Sequence, residues 1–353
     1  MADKTVTLQH KHLRDFIARL IEAAGASAEA AHLVADSLVA SNLRGVDSHG
    51  VQLTPLYIDR IEKGYVNPRA AGHIVSESGA CLVYDGEHGI GQTISKTCCD
   101  HAIRLAGEHG ISAVVARESS HFGAAAYWAQ IISARGMIGV VMCNASPLVA
   151  PWQGKERRLG TNPICMSIPG ERLWLLDMAT TTVALNKVVK AEATGQATIP
   201  AGWAMDAAGN PTTDTQAALK GSPLPLGGYK GSGLAMMAEI LCAVLSAGAM
   251  STELGGLRVE GKRMRVSQFF LAMDVGRFMP LDVFTARMEW LRETVKSSQP
   301  APGYSEVLVA GEPEWRIEEK RLLTGIPIQK AIWEKLLKTA ERLGVAVPAN
   351  KDP

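Results

Sequence analysis

The segment Arg44-Gly45-Val46-Asp47-Ser48-His49-Gly50 places a guanidinium, a hydroxyl and an imidazole in one short stretch directly after a helical pattern. Its two glycines release the backbone from helical geometry where the polar groups gather. Histidine titrates near neutral pH, so His49 could give a proton in one direction and take it back in the other. Ser48 could hydrogen-bond the same reacting oxygen or orient the imidazole, and Arg44 offers a planar fork that matches a carboxylate. The same residues also suit a plain helix C-terminus, with an arginine complementing the dipole and a histidine in the turn.

Three further segments carry comparable groups. Ser119-Ser120-His121-Phe122-Gly123 follows the apolar run ISAVVAR and precedes a helical pattern, AAAYWAQII. Loops after strands gather ligands in open α/β sheets, and the N-terminus of the next helix presents free N–H groups. A serine N-cap beside an incidental histidine reads equally well. In Leu176-Asp177-Met178-Ala179-Thr180-Thr181-Thr182, Asp177 ends a strand-like run and could orient a histidine or hold a ribose hydroxyl; a threonine there could instead N-cap the following helix. Leu226-Gly227-Gly228-Tyr229-Lys230-Gly231-Ser232-Gly233 combines flexible backbone, a lysine and a helix start, the makings of a phosphate cradle or of a glycine hinge with a solvated lysine.

No stretch matches G-x-G-x-x-G, so a bound dinucleotide would be held without that fingerprint. Gly256-Leu-Arg-Val-Glu-Gly261-Lys262 approaches a P-loop, but Arg263 stands where the magnesium-binding Ser or Thr belongs, and a surface turn is the simpler reading. No HExxH, G-x-S-x-G or carboxylate cluster at metal spacing is present, so no metal site is expected.

The elements that must position these groups fall into two textures. Residues 1–75 read as helices. His10–Ala24 carries Leu13, Phe16, Ile17, Leu20 and Ile21 on one stripe, Ser27 reads as the N-cap of the next helix, and Thr54-Pro55 reads as an N-cap with proline first in the helix. From about His73, apolar runs at 80–84, 111–116, 137–143, 164–168, 173–176 and 269–273 alternate with helical patterns at 91–108, 123–134 and 231–247. That alternation argues for an α/β domain on a mixed sheet. Helical periodicity returns at 281–295 and 329–343, and PANKDP reads as a frayed end.

The 353 residues carry a net charge of +1 with no long basic run, which argues against nucleic acid or an anionic membrane as the main partner. The polar N-terminus has no signal-peptide core. The apolar stretch Gly233–Met250, interrupted by Glu239, reads as a buried core helix. Cys81, Cys98, Cys99, Cys143, Cys165 and Cys242 form no C-x-x-C pair, which suits reduced thiols in a cytoplasmic protein.

Taken together, RGVDSHGVQLTPLYIDRIEKGYVNP, SSHFGAAAYWA, GTNPICMSIPG, LDMAT, IPAGWAMDAAGNPTTD and LGGYKGSGLAMMAEIL occur in an order that resembles the malate/L-lactate dehydrogenase-like family. That family includes ureidoglycolate, sulfolactate and diketogulonate oxidoreductases and cyclic imino-acid reductases. The resemblance runs along nearly the whole chain. It implies a helical domain of residues 1–75 joined by helices from 315–353, beside a mixed-sheet, non-Rossmann NAD(P)-binding domain of residues 76–314. It also implies a homodimer whose active site the second subunit can complete.

By the same resemblance His49 is the proton donor, with His121 in an acid/base or nicotinamide-contact role beside Gly123. Contacts to NAD or NADP carry over to Asp177, Met178, Ala179, Thr180, Thr181 and Thr182, to Tyr229 and Lys230, and to Ala310, Gly311 and Glu312. Relatives usually have Pro-Gly where this chain has Ala310-Gly311, and many have glycine at Asn186. The expected reaction is hydride transfer between NAD(P)H and C2 of a small 2-oxo acid. His49 protonates the oxygen, Ser48 assists, Asp177 orients, and Arg44 takes the carboxylate. Reduction of a cyclic imino-2-carboxylate is the near alternative; a nucleotide-binding protein that is no oxidoreductase, built on Gly256–Lys262, is the distant one.

Overall fold

The computed structural model describes residues 5–348; all of the PANKDP tail beyond Pro348 lies outside them. Two cores organise the chain. The first is helical: α1 (His10–Ala23), α2 (Ala28–Leu43), α3 (Thr54–Glu62) and, from the far end of the sequence, α11 (Lys330–Leu343). The α1 stripe Leu13, Phe16, Ile17, Leu20 and Ile21 is buried, and Phe16 meets Trp333 of α11 at 5.6 Å between ring centroids. Gly25 ends the α1 turn at φ +107°, and Ser27 Oγ accepts the Ala30 N–H at the start of α2. A two-stranded antiparallel ladder of β1 (Thr5–Leu8) and β12 (Ile326–Gln329) ties both ends of the chain to this core.

The second core is a seven-stranded mixed sheet, ordered β2-β3-β4-β11-β5-β6-β7. Its strands are β2 (His73–Ser78), β3 (Cys81–Asp85), β4 (Ile111–Ser119), β5 (Met137–Cys143), β6 (Ile164–Ser167), β7 (Leu175–Met178) and β11 (Val266–Asp274). Only β3 and β4 run parallel, which separates this sheet from an open parallel dinucleotide fold. Period-two alternation gives each face its own cover. Val114, Val141 and Phe270 pack with α4 (Gly91–His109) and α5 (Ala125–Ser133) around Trp128. Val115, Met142 and Phe269, one residue along each strand, pack with Ala238 and Cys242.

The remaining elements are α6 (Leu185–Ala193), α7 (Thr215–Lys220), α9 (Leu281–Lys296), α10 (Glu312–Thr324), whose Trp315 enters the second core, and a small sheet of β8 (Ala204–Met205), β9 (Pro211–Thr212) and β10 (Ser222–Pro223).

Three expectations are corrected. Thr54 does not cap α3: it lies inside the helix at φ −52°, ψ −48°, because the chain already turns helically through Val51–Leu53. None of Thr180–Thr182 caps α6, whose N-cap is Ala184. The Gly233–Met250 stretch is apolar without being a fully buried helix. Here α8 (Tyr229–Glu239) passes into a π-helical turn, Ile240–Val244, that buries Ala238 and Cys242 but leaves Met236, Ile240 and Val244 exposed. Among the described residues no helix is long and apolar enough to cross a membrane.

Candidate active site

Strand register brings the site together. Ser119 of β4 pairs with Val266, Cys143 of β5 with Gln268, Ile164 of β6 with Met142, and Met178 of β7 with Ile164. The segments Ser120–Gly123, Asn144–Ser146, Gly160–Asn162 and Asp177–Thr182 therefore lie at one end of the strands. The turn that follows α2 carries His49 over that end.

There the imidazoles of His49 and His121 stack. Burial lowers the His49 pKa, opposed by the nearby Asp177 charge. Ser48 Oγ lies 3.0 Å from His49 Nδ1, within hydrogen-bonding reach of the ring. Asp177 opens to solvent yet is ringed by protein, and desolvation raises its pKa against the Ala126 N–H bond (2.9 Å) and the His49 and Arg44 charges.

His121 is more strongly perturbed. Burial, then the charges of His49 and Arg258, bring its pKa down to about 3, so the ring is neutral at pH 7. Its Nδ1 lies 2.6 Å from Tyr57 Oη and receives the Gly123 N–H at 3.2 Å. Burial pushes the Tyr57 hydroxyl up, keeping it a donor. With two donors on Nδ1, the hydrogen-bond network assigns the ring proton to Nε2. His121 thus offers a neutral N–H. A small cavity of about 20 Å³ lies behind it, bordered by Tyr57, Gln92, Ser120, Leu257 and Met264. Ser120 accepts the Gly91 N–H at 2.8 Å, so it serves the start of α4 and not that of α5.

Arg44 is only 7% exposed; one end of its fork lies 3.4 Å from Gln130 Oε1, and its Nε is buried without a partner. Its charge reaches Asp177. An exposed cation whose charge reaches His121 is Arg258, which sequence reasoning passed over inside the Gly256–Lys262 loop. That loop is no phosphate site here: Lys262 Nζ donates to Thr252 O, and Glu260 pairs with Arg60 and Lys63. Tyr57 was also missed; the available signal was a phenol hydroxyl among the buried positions of α3.

The strap after β7 is laced on both sides. Thr180 N–H and Oγ1 both donate to Thr161 O, Thr182 N–H donates to Leu224 O, and Leu226 N–H donates to Thr180 O. A Cβ on Gly231 would stand 2.3–2.6 Å from backbone atoms of Leu226 and Thr180, so the glycine-rich turn presses against the strap. Tyr229 and Lys230 begin α8 with exposed side chains. Met178 and Ala179 are half-buried between strand and strap. On the other side of β7, Ala310 O accepts the Leu175 N–H at 3.1 Å, and Glu312 is tied to Lys296 and to the Val309 N–H.

These features fit a dinucleotide. A helix N-terminus with a lysine suits phosphates, and a strap and an acid at the strand end suit a ribose and ring. No pairing with the sheet is needed.

Comparison with known proteins agrees in sequence and in fold. A family model described as malate/L-lactate dehydrogenase matches residues 8–337. Malate dehydrogenase of Pyrococcus horikoshii is 39% identical over 94% of this chain and 94% of its own length. A solved structure of malate dehydrogenase from that organism superposes with a TM-score of 0.90, covering 98% and 97% of the two chains at 36% identity. Ureidoglycolate dehydrogenase (NAD(+)) of Escherichia coli is 32% identical over 93% of this chain and 95% of its own. The structure of delta1-piperideine-2-carboxylate reductase from Pseudomonas syringae has a TM-score of 0.84 at 27% identity, covering 95% and 100%. The chain belongs to the malate/L-lactate dehydrogenase family of nicotinamide-dependent oxidoreductases.

Proposed function

We propose that the protein interconverts a small 2-oxo acid and its 2-hydroxy acid, with NAD or NADP as hydride carrier and His49 as the proton donor. The observation that carries this reading is the meeting of His49, His121 and Asp177 at one end of the sheet's strands from three distant segments.

The nicotinamide, when bound, supplies or takes up the hydride at C2. His121, Gly123, the strap Asp177–Thr182, Tyr229, Lys230 and Ala310–Glu312 would hold the carrier. The remaining work falls to this chain's side chains. His49 gives its proton to the developing alkoxide and recovers it in reverse, with Ser48 fixing the ring and Asp177 favouring the imidazolium. His121, neutral, donates its Nε2–H to the polarised oxygen, much as a neutral imidazole can act as an electrophile elsewhere. Arg258, open to solvent, is assigned the substrate carboxylate; Arg44, the choice from sequence, is assigned instead to balancing Asp177 from below.

The likeness to the piperideine-carboxylate reductase supports a second reading, reduction of a cyclic imino-2-carboxylate with the same groups. A panel of 2-oxo acids and cyclic imines, followed by loss of reduced-nicotinamide absorbance with each cofactor, decides between them. Turnover of neither class would overturn both.

Three coarser assignments complete the reading. The helical segment 1–75 with 315–353 acts as one domain and 76–314 as the other. The protein is cytoplasmic. A second copy covers the exposed apolar stripe of Met236, Ile240 and Val244, giving a homodimer whose partner completes the cleft.

A further inference from the structure

The turn that bears His49 is held from the opposite end of the chain. Arg321, in the last turn of α10, donates from Nη1 to Asp47 Oδ1 (2.7 Å) and from Nη2 to Asp47 Oδ2 (3.1 Å), and it also bonds Asn42 O. Asn42 Nδ2 reaches the same Asp47 Oδ1 at 2.6 Å, and its Oδ1 receives the Val51 N–H at 2.8 Å, so the turn is gripped on both sides of His49. One helical turn before Arg321, Ile317 seats on Gly45: a Cβ there would lie 2.9 Å from Ile317 Cδ1, and Gly45 has φ +76°. At its other end α10 begins at Gly311, against Leu175 and two residues from Asp177 along β7. A single helix therefore spans from the strand of Asp177 to the turn of His49.

We propose that Arg321 is a positioning residue for proton transfer: through Asp47 it fixes the His49 turn, and α10 sets the spacing between His49 and Asp177. A bidentate guanidinium–carboxylate pair fixes orientation as well as distance, which a single-point contact does not. The Arg321 side chain is 14% exposed and that of Asp47 47%, so the pair is partly open to solvent and acts by fixing orientation more than by a large Coulombic gain.

The inference rests on His49 as proton donor, and the test separates the two. Arg321→Gln, Arg321→Lys, Asp47→Asn, the Arg321→Gln/Asp47→Asn double variant and His49→Ala are compared by kcat, by NADH affinity from fluorescence, and by Tm. Misplacement of a catalytic group by about 1 Å can cost up to ~100-fold, so Arg321→Gln is expected to lower kcat by about 10- to 100-fold with NADH affinity and Tm near wild type. Arg321→Lys should recover part of that loss. The double variant should be no slower than Arg321→Gln alone, because both changes break one contact. If Arg321→Gln fails to fold, Arg321→Lys and Asp47→Asn carry the same comparison. The inference is overturned if kcat stays within about twofold of wild type, against the loss expected from misplacement. It is also overturned if kcat, NADH affinity and Tm fall together without rescue by lysine. Collapse of His49→Ala with intact Arg321→Gln overturns this inference alone; an active His49→Ala overturns the proton-donor reading itself.

Discussion

The rings of His49 and His121 lie 5.8 Å apart, centroid to centroid, with 18° between their planes, although 71 residues of sequence separate them. Two imidazoles this close cannot both be charged cheaply. The structure resolves the conflict by keeping His121 neutral, with Tyr57 and Gly123 as donors to its Nδ1, and by placing the acid Asp177 near His49. On the proposed reading the two histidines take different roles: His49 exchanges a proton, and His121 offers a fixed N–H.

This arrangement has a stability signature. His121 titrates near 3 in the folded protein, against about 6.5 in an unfolded chain. Between those values the unfolded state binds more protons, so stability rises with pH. The contribution is fully present above about 6.5 and is lost as pH falls below it, by roughly 1.4 kcal/mol per pH unit. His49, lowered in the same direction, adds to the slope. Urea denaturation at pH 7.5 and pH 5 should therefore show a steeper loss for wild type than for His121→Gln. Parallel loss in the two proteins would contradict the neutral assignment.

Removing the proposed proton donor, His49, and the proposed phosphate-binding Lys230 should damage different steps. His49→Ala is expected to lower kcat by about 10²–10⁴ and leave cofactor affinity near wild type. Lys230→Ala should weaken cofactor binding more than it slows turnover at saturation. Stopped-flow titration with NADH, followed by single-turnover rates, measures both. Normal saturated turnover by His49→Ala would remove it from the chemistry, and unchanged affinity in Lys230→Ala would remove the cradle.

How much of this was written in the sequence depends on how local each signal is. The α1 stripe, the Ser27 cap and the strands β5 and β11 rest on periodicity and neighbouring residues, and they were legible. His49, His121 and Asp177 were legible as separate candidates because each sits where a regular element ends. Tyr57 was not, since what selects it is a contact to His121 across 64 residues. Arg258 was hidden in a loop whose only local pattern suggested a different chemistry. The β1–β12 ladder was invisible for the same reason: two four-residue strands become strands only by pairing with each other. The α8 stretch misled because hydropathy reports apolar content and not which face is covered.

Gly231 gives a sharp test of the strap. The three atoms nearest a methyl group there are backbone atoms of Leu226 and Thr180, which cannot swing aside. Gly231→Ala should cost about 1–3 kcal/mol of stability, the range for overpacking, and weaken cofactor binding by moving Tyr229 and Lys230. Gly107→Ala in α4, with nothing within 4 Å of the added carbon, is the control and should gain up to about 1 kcal/mol. Thermal melts with and without NADH distinguish the two variants. Equal behaviour would show that the turn and the strap are not pressed together.

The exposed stripe on α8 and its π turn yields the last prediction. Met236, Ile240 and Val244 are 52–53% exposed and fall at four-residue intervals, so they form one line on the surface. Burying that line against its own copy would remove apolar area from water without any new polar demand, which suits an isologous contact. Ile240→Glu would place a charge at the centre of the contact on both copies at once, so the two defects face each other and add. Sedimentation at micromolar concentration should then show a dimer for wild type and a monomer for Ile240→Glu. If the partner completes the cleft, the monomer should also lose activity while its far-UV spectrum stays native. A wild-type protein that sediments as a monomer, or an Ile240→Glu variant that remains dimeric, would place the contact elsewhere or remove it.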